Sequence, residues 1–323
     1  MDADLTAGPD VSSSTDGPPA DGPAPGVPAP GVPAADGPAA DGPAADGPGP
    51  AEPPKPAPSG RNLPVAAAIG ALLGGLVIAT LFTVKATFLI FMAAAIGVGL
   101  WEMARALRGH GINVPLIPIA AAGAAAWACE YWWNNRAVLA SLVLGVLAIL
   151  AWRLTRGPDG YLRDVSAGVF LLGYLPFPAL FVVAMLAAPD GARRVLIFVI
   201  LVVCVDVGGF FAGSFLGRHP MAQAISPSKT WEGLAGSVLL CLAAGAVTVP
   251  WLLHGHVWQG LLTGAAAGVA AVAGDLAESA IKRDLKVKDL GSLLPGHGGV
   301  MDRLDSLLVA APVAWLLLAV SIR

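Results

Sequence analysis

Residues 195–217 read V-L-I-F-V-I-L-V-V-C-V-D-V-G-G-F-F-A-G-S-F-L-G, 23 positions with one charged residue, Asp206. That is enough to cross a hydrocarbon core of about 30 Å as a helix, which takes about 20 apolar residues. A helix is the form such a run takes in lipid, because it satisfies its own backbone hydrogen bonds. Similar runs recur on both sides of it. Nine apolar segments are predicted near 63–84, 86–104, 114–133, 137–152, 165–188, 195–217, 234–253, 257–281 and 307–322. The predicted fold is all-α: a polytopic integral-membrane helical bundle of about nine transmembrane helices.

Composition agrees. The chain has 323 residues, 56% hydrophobic and 13% charged, with a mean hydropathy of +0.71. A soluble domain carries about 25% charged residues. The net charge of −3 argues against a nucleic-acid-binding surface. Cys129, Cys204 and Cys241 lie inside apolar runs without metal-ligand spacing, and are read as small packing residues. Pro176 and Pro178 are read as bending a helix.

Residues 1–60 differ. Asp16, Asp21, Asp36, Asp41 and Asp46 mark a five-residue D-G-P-A-A repeat without aromatic residues. Such a segment cannot build a core and is predicted to be a disordered tail. It shows no basic start followed by an apolar stretch, so no signal peptide is expected. Residues 61–194 are predicted as N-terminal transmembrane helices and 195–323 as a catalytic transmembrane region. With the N-terminus in the cytoplasm, fourteen of the nineteen Lys and Arg residues fall on the cytoplasmic side, the bias that sets orientation.

Chemistry concentrates in three places. In 274–306, Asp275, Glu278, Ser279 and Lys282 stand at i, i+3, i+4 and i+7, on one face of a helix. Two carboxylates on an apolar helix are costly unless they line a polar cavity. Lys282, Arg283, Lys286 and Lys288 follow, then the loop Pro295-Gly296-His297-Gly298-Gly299, then Asp302, Arg303 and Asp305. Clustered carboxylates suit a hard cation such as Mg²⁺, and clustered Lys and Arg suit phosphate. Together they describe a metal–nucleotide site. The second stretch, Ser226-Pro227-Ser228-Lys229-Thr230-Trp231-Glu232-Gly233, is expected to open the seventh helix, where free amides favour an anion. The third is Asp206, a lone intramembrane carboxylate followed by Val207, Gly208, Gly209 and Phe210. Glu102 and Glu130, near segment ends, are read as structural and interfacially solvated.

The run from Ser279 to Asp305 resembles the signature of the phosphatidate cytidylyltransferases, S-x-apolar-K-R, four residues, K-D, a spacer, H-G-G, two residues, D-R-apolar-D. Ser279, Ile281, Lys282, Arg283, Lys288, Asp289, His297, Gly298, Gly299, Val300, Asp302, Arg303, Leu304 and Asp305 fit it. The S-P-x-K-T-x-E-G element at 226–233 and Gly274-Asp275 are also similar to the family. The resemblance covers roughly 195–306. It departs after Asp206, where Thr-Gly-Ala-Tyr is common and Val207, Gly208, Gly209 and Phe210 stand here. Ser214 occupies a place often basic.

The resemblance implies that phosphatidate attacks the α-phosphorus of CTP, releasing pyrophosphate and CDP-diacylglycerol. It implies a Mg²⁺ requirement, admits a second, monovalent cation such as K⁺, and implies a homodimer in the bacterial plasma membrane, multi-pass among membrane lipids, its site facing the cytoplasm. The catalytic residues expected are Asp275, Lys282, Arg283, Lys288, Asp289, Asp302, Arg303 and Asp305. Those expected to bind substrate are Ser226, Pro227, Lys229, Thr230, Glu232, Ser279, His297, Gly298, Gly299 and Asp206. The metal is expected on Asp275, Asp302, Asp305 and Glu278. Two other readings stay open here: another CTP-dependent membrane lipid kinase or cytidylyltransferase, and a transporter using its intramembrane acids as ion sites.

Overall fold

A computed structural model of the protein describes residues 63–133, 135–291, 293 and 298–322. The expected tail at 1–60, and Pro295, Gly296 and His297 of the signature loop, lie outside the described residues. Among the described residues the chain forms ten α-helices: α1 Leu63–Thr83, α2 Lys85–Gly109, α3 Leu116–Trp132, α4 Asn135–Leu154, α5 Tyr161–Tyr174, α6 Pro176–Ala187, α7 Gly191–Leu216, α8 Trp231–Leu253, α9 Val257–Asp284 and α10 Met301–Ser321. Two strands, β1 Pro220–Ala222 and β2 Ser226–Thr230, lie between α7 and α8. Seven of the helical runs are long and apolar enough to cross a bilayer: α2, α4, α5 with α6, α7, α8, α9 and α10. The chain is an all-helical, multi-pass membrane protein. α1 and α3 make up the difference from the nine predicted segments.

The fifth predicted segment divides at Leu175. Pro176 lacks the amide that would continue the helical ladder and disfavours helical backbone just before it. Beside the break, Trp127 Nε1 of α3 donates to the Pro176 carbonyl at 2.8 Å. Lys85 turns the first hairpin, and its ammonium donates to the Ala188 carbonyl at 2.7 Å.

The element at 226–233 differs from its sequence reading. Ser226–Thr230 is a strand, paired antiparallel with β1 through Pro220 opposite Thr230 and Ala222 opposite Ser226. Pro227 holds Ser226 extended, so the helix cannot begin there. It begins at Trp231, with Thr230 as its N-cap, the hydroxyl accepting the Gly233 N–H at 3.1 Å.

The bundle is packed by small residues and dressed with large ones. α9 buries Gly260, Gly264, Ala267, Gly268, Ala271 and Gly274, while Phe215, Leu239, Val247 and Trp251 lie on the outside. That is the expected arrangement in lipid, where tight backbone packing replaces the hydrophobic drive. α7 meets α8 at Gly208 and Gly236: a Cβ on Gly208 would stand 2.5 Å from the Gly236 carbonyl oxygen. Beside it, Ser237 Oγ donates to the Val205 carbonyl at 2.7 Å. These contacts set β2, the α8 start and the polar end of α9 side by side.

Candidate active site

The last three turns of α9 carry the centre of the site. Its helical spacing puts Asp275, Glu278, Ser279 and Lys282 on one side, as the sequence predicts. α10 comes close because Gly274 offers no side chain; a Cβ there would lie 2.5 Å from the Asp305 carbonyl oxygen. This sets Asp302 and Asp305 opposite Glu278 and Lys282. Lys282 Nζ bridges Glu278 Oε2 at 2.7 Å and Asp302 Oδ1 at 2.6 Å.

Asp302 is an anchor as well as an acid. Its Oδ2 accepts the Gly299 N–H at 2.6 Å and its Oδ1 the Leu290 N–H at 3.3 Å. One side chain therefore fastens both arms of the loop joining α9 to α10. Asp305 is buried, with Oδ1 accepting the Ser306 N–H at 2.6 Å. Glu278 is buried too, and its Oε1 has no hydrogen-bond partner.

β2 completes the cluster. The Lys229 ammonium forms a close ion pair with Asp275 Oδ2, and Ser279 Oγ lies 3.5 Å from Asp275 Oδ1. Beside this pair is a cavity of about 420 Å³ whose lining includes Asp206, Gly209, Ser214, Ser228, Lys229 and Thr230. Its size is within the usual range for a small-molecule site, about 300–1,000 Å³. Asp206, from α7, is thus brought to the same face as Lys229. Of the residues after Asp206, Gly209 and Phe210 line this cavity and Gly208 packs on α8.

The other expected residues lie around this centre or beyond it. Arg283 Nε donates to the Ile225 carbonyl at 3.1 Å, tying α9 to the hairpin. Pro227 is exposed on the strand. Glu232 turns toward the segment before β1, where its Oε2 accepts the amides of Arg218 and His219, each at 3.2 Å. Lys288 and Asp289 line a second cavity, of about 500 Å³, with Trp101, Glu102 and Arg105. Arg303 is exposed at the start of α10. Gly298 has φ 82°, a left-handed backbone that favours glycine. Ser226 and Thr230 end the strand, half-buried.

Two groups escape the sequence reading. Glu102 is 1% exposed, not solvated at an interface, and its Oε2 accepts the Met301 N–H at 2.8 Å. A signal existed: Glu102 shares its helical stripe with Gly99 and Met103, both buried. Tyr174, at the end of α5, has a buried hydroxyl without a partner. A tyrosine in an apolar helix carries no comparable signal.

The donor set suits a hard cation in chemistry more than in preformed geometry. Among the described residues, no three acidic, histidine or cysteine groups converge as a ready metal cage. Lys229 and Lys282 pair with Asp275, Glu278 and Asp302, leaving the Asp305 carboxyl and the orphaned Glu278 Oε1 as buried oxygens that no lysine takes. Mg²⁺ characteristically takes one or two carboxylates plus substrate oxygens and water, and this cluster fits that pattern.

Comparison with known proteins adds an independent line. The model of the cytidylyltransferase family matches residues 65–321. The phosphatidate cytidylyltransferase of Mycobacterium leprae (strain TN) is 39% identical over 276 residues, covering 80% of this chain and 88% of the relative. The phosphatidate cytidylyltransferase of Mycobacterium tuberculosis (strain ATCC 25618 / H37Rv) is 38% identical over 273 residues, covering 80% and 83%. A match over most of the chain, reaching well before the signature at 279–305, shows that this chain belongs to the cytidylyltransferase family.

Proposed function

We propose that this chain transfers the cytidylyl group of CTP to phosphatidate, giving CDP-diacylglycerol and pyrophosphate for phospholipid synthesis. The observation that carries the reading is the convergence of Lys229, Asp275, Lys282 and Asp302 from β2, α9 and α10 at one end of the bundle, in a chain 39% identical to a phosphatidate cytidylyltransferase.

The residues divide the work as follows. Lys229, with the hydroxyls of Ser228 and Thr230, receives the CTP phosphates in the cavity beside Asp206, and Ser226 opens the strand that carries them. Lys282, Arg283 and Lys288 neutralise phosphate oxygens of CTP or phosphatidate. No general base is needed, since a phosphate monoester, with a second pKa of about 6, is already a charged nucleophile near neutrality. One or two of Asp275, Glu278, Asp302 and Asp305 would hold Mg²⁺, with the others supporting them, and the ion when bound would offset charge on the triphosphate and the leaving pyrophosphate. Positioning and charge neutralisation then supply most of the acceleration. Bringing in CTP must loosen the Lys229–Asp275 pair, so that pair holds the cluster together before substrate arrives.

The same proposal includes a homodimer, a monovalent cation such as K⁺ beside Mg²⁺, and placement in the bacterial plasma membrane with the site toward the cytoplasm. The positive charge of the loops supports that side.

The test is conversion of labelled CTP and phosphatidate by the purified protein with Mg²⁺. CDP-diacylglycerol and pyrophosphate are expected, with activity lost on chelation and restored by Mg²⁺. Release of CDP instead would mean kinase chemistry. No product from well-folded protein would sink the enzyme reading.

A further inference from the structure

Glu102 is a buried carboxylate that the proposed chemistry does not use. It is 1% exposed in α2, and burying a carboxylate is costly unless its oxygens are satisfied. Oε2 accepts the Met301 N–H at 2.8 Å, from a residue 199 positions away. Oε1 has no hydrogen-bond partner. Backbone from two places presses on the same group. A Cβ on Gly299 would fall 2.6 Å from Oε2 and 2.9 Å from Oε1, and one on Gly291 would overlap Oε1. At Gly299 a Cβ would also meet the Gly291 N at 2.8 Å, so backbone as well as Glu102 holds that position to glycine.

The amide that Glu102 takes belongs to the first turn of α10. First-turn amides have no acceptor within their own helix, and Val300, at the N-cap, supplies no side-chain cap. Glu102 is thus a cap delivered from another helix, at the end where the helix dipole favours an anion. On the other flank, Asp302 takes the Gly299 and Leu290 amides. The backbone from Gly299 to Met301 is held between these two carboxylates.

We infer that Glu102 is a positioning residue: it fixes the start of α10, and through it the place of Asp302 and of Lys282 on Asp302. The inference rests on the reading of Asp302 and Lys282 as parts of the active site. Without Glu102 the first turn of α10 frays and Asp302 drifts. The Lys229 side of the site, built on β2, keeps its shape. The loss falls on kcat and spares the KM for CTP.

The experiment uses the full chain, purified in lipid nanodiscs, with E102M and E102Q. Methionine is near-isosteric but has no carboxylate, whereas glutamine keeps an oxygen to accept the Met301 amide. E102M is expected to lower kcat by at least ~30-fold, consistent with roughly 10²-fold for a 1 Å misplacement, leaving the KM for CTP within about threefold. E102Q should keep kcat within about threefold. Amide exchange in peptides covering Gly298–Asp305 should rise by about tenfold or more in E102M, be unchanged in E102Q, and be unchanged elsewhere in both.

Wild-type kcat in E102M would overturn the inference. So would equal impairment of E102M and E102Q, because the acceptor would then not be what matters. Failure of E102M to fold, or raised exchange throughout the chain, would make Glu102 a general folding residue and overturn it likewise. If the wild type makes no CDP-diacylglycerol, the enzyme reading falls by itself, and the exchange pattern alone decides the positioning role.

Discussion

Replacing Lys282 with methionine probes how the site is held together. Its ammonium stands 2.7 Å from Glu278 and 2.6 Å from Asp302, with side chains 17%, 2% and 6% exposed respectively. Methionine keeps much of the apolar stem and removes the charge. Two buried carboxylates are then left without their counter-ion. Removing one partner of a buried ion pair costs ~3–5 kcal/mol, because a charge is stranded in low dielectric. That corresponds to roughly a hundredfold to several-thousandfold in the folding equilibrium, at about 1.4 kcal/mol per decade. The assay is reversible unfolding in mixed detergent–SDS micelles, followed by fluorescence of the nine tryptophans. A second substitution separates stranded charge from lost packing: K282M/E278Q removes one orphaned carboxylate and should regain at least ~1.5 kcal/mol over K282M, within the coupling expected of contacting residues. If K282M lies within about 1 kcal/mol of wild type, or if E278Q regains nothing, Lys282 does not hold these acids together and the reasoning fails.

Further outcomes follow from the same geometry. Asp275→Asn and Asp302→Asn should each lower CDP-diacylglycerol formation by at least ~10²-fold, the scale for losing one preorganised electrostatic group, while the protein elutes as folded; normal turnover in either removes that residue from the site. Arg153→Met breaks the buried pair with Asp164, 2.9 Å apart at 6% and 1% exposure; Asp164 keeps Arg163 Nε at 3.4 Å and the Asn113 N–H, so the loss expected is that of a charged hydrogen bond, about 1.5–3 kcal/mol. Turnover per folded molecule should be unchanged, which an activity-versus-unfolding titration would check. Gly208→Val drives a side chain into the Gly236 carbonyl; it should cost about 1–3 kcal/mol or more and weaken CTP binding, measured as a raised KM, by moving α7 away from β2.

Much of the site was legible because helical spacing is local. Asp275, Glu278, Ser279 and Lys282 share a face by arithmetic alone, and the structure pairs Lys282 with Glu278 on that face. What pattern reading could not supply was the partner from elsewhere. Nothing in S-P-S-K-T says that Lys229 reaches Asp275, since that contact depends on how far α7, α8 and α9 approach one another. The strand at 226–230 was missed for a related reason: a five-residue extended piece has no hydrophobic period, and only Pro227 hinted at it. Glu102 was misplaced because position near a segment end suggests water, whereas burial there depends on the α9–α10 loop folding back over α2.

The sequence by itself determined the solvent and the element type. Charge-free runs near 20 residues leave helices as the economical form in lipid, and Pro176 and the Gly-rich faces mark where those helices break or touch. It also determined which acids and bases share one turn of α9 or α10. Only the tertiary structure decided which of them meet. Lys229 with Asp275, Lys282 with Asp302, and Glu102 with Met301 each join different elements of the fold. Their geometry is set by glycine-to-backbone contacts and the fold of one loop. A carboxylate's role here depends on the amide or ammonium that is packed against it, and packing between helices is not written in any single segment.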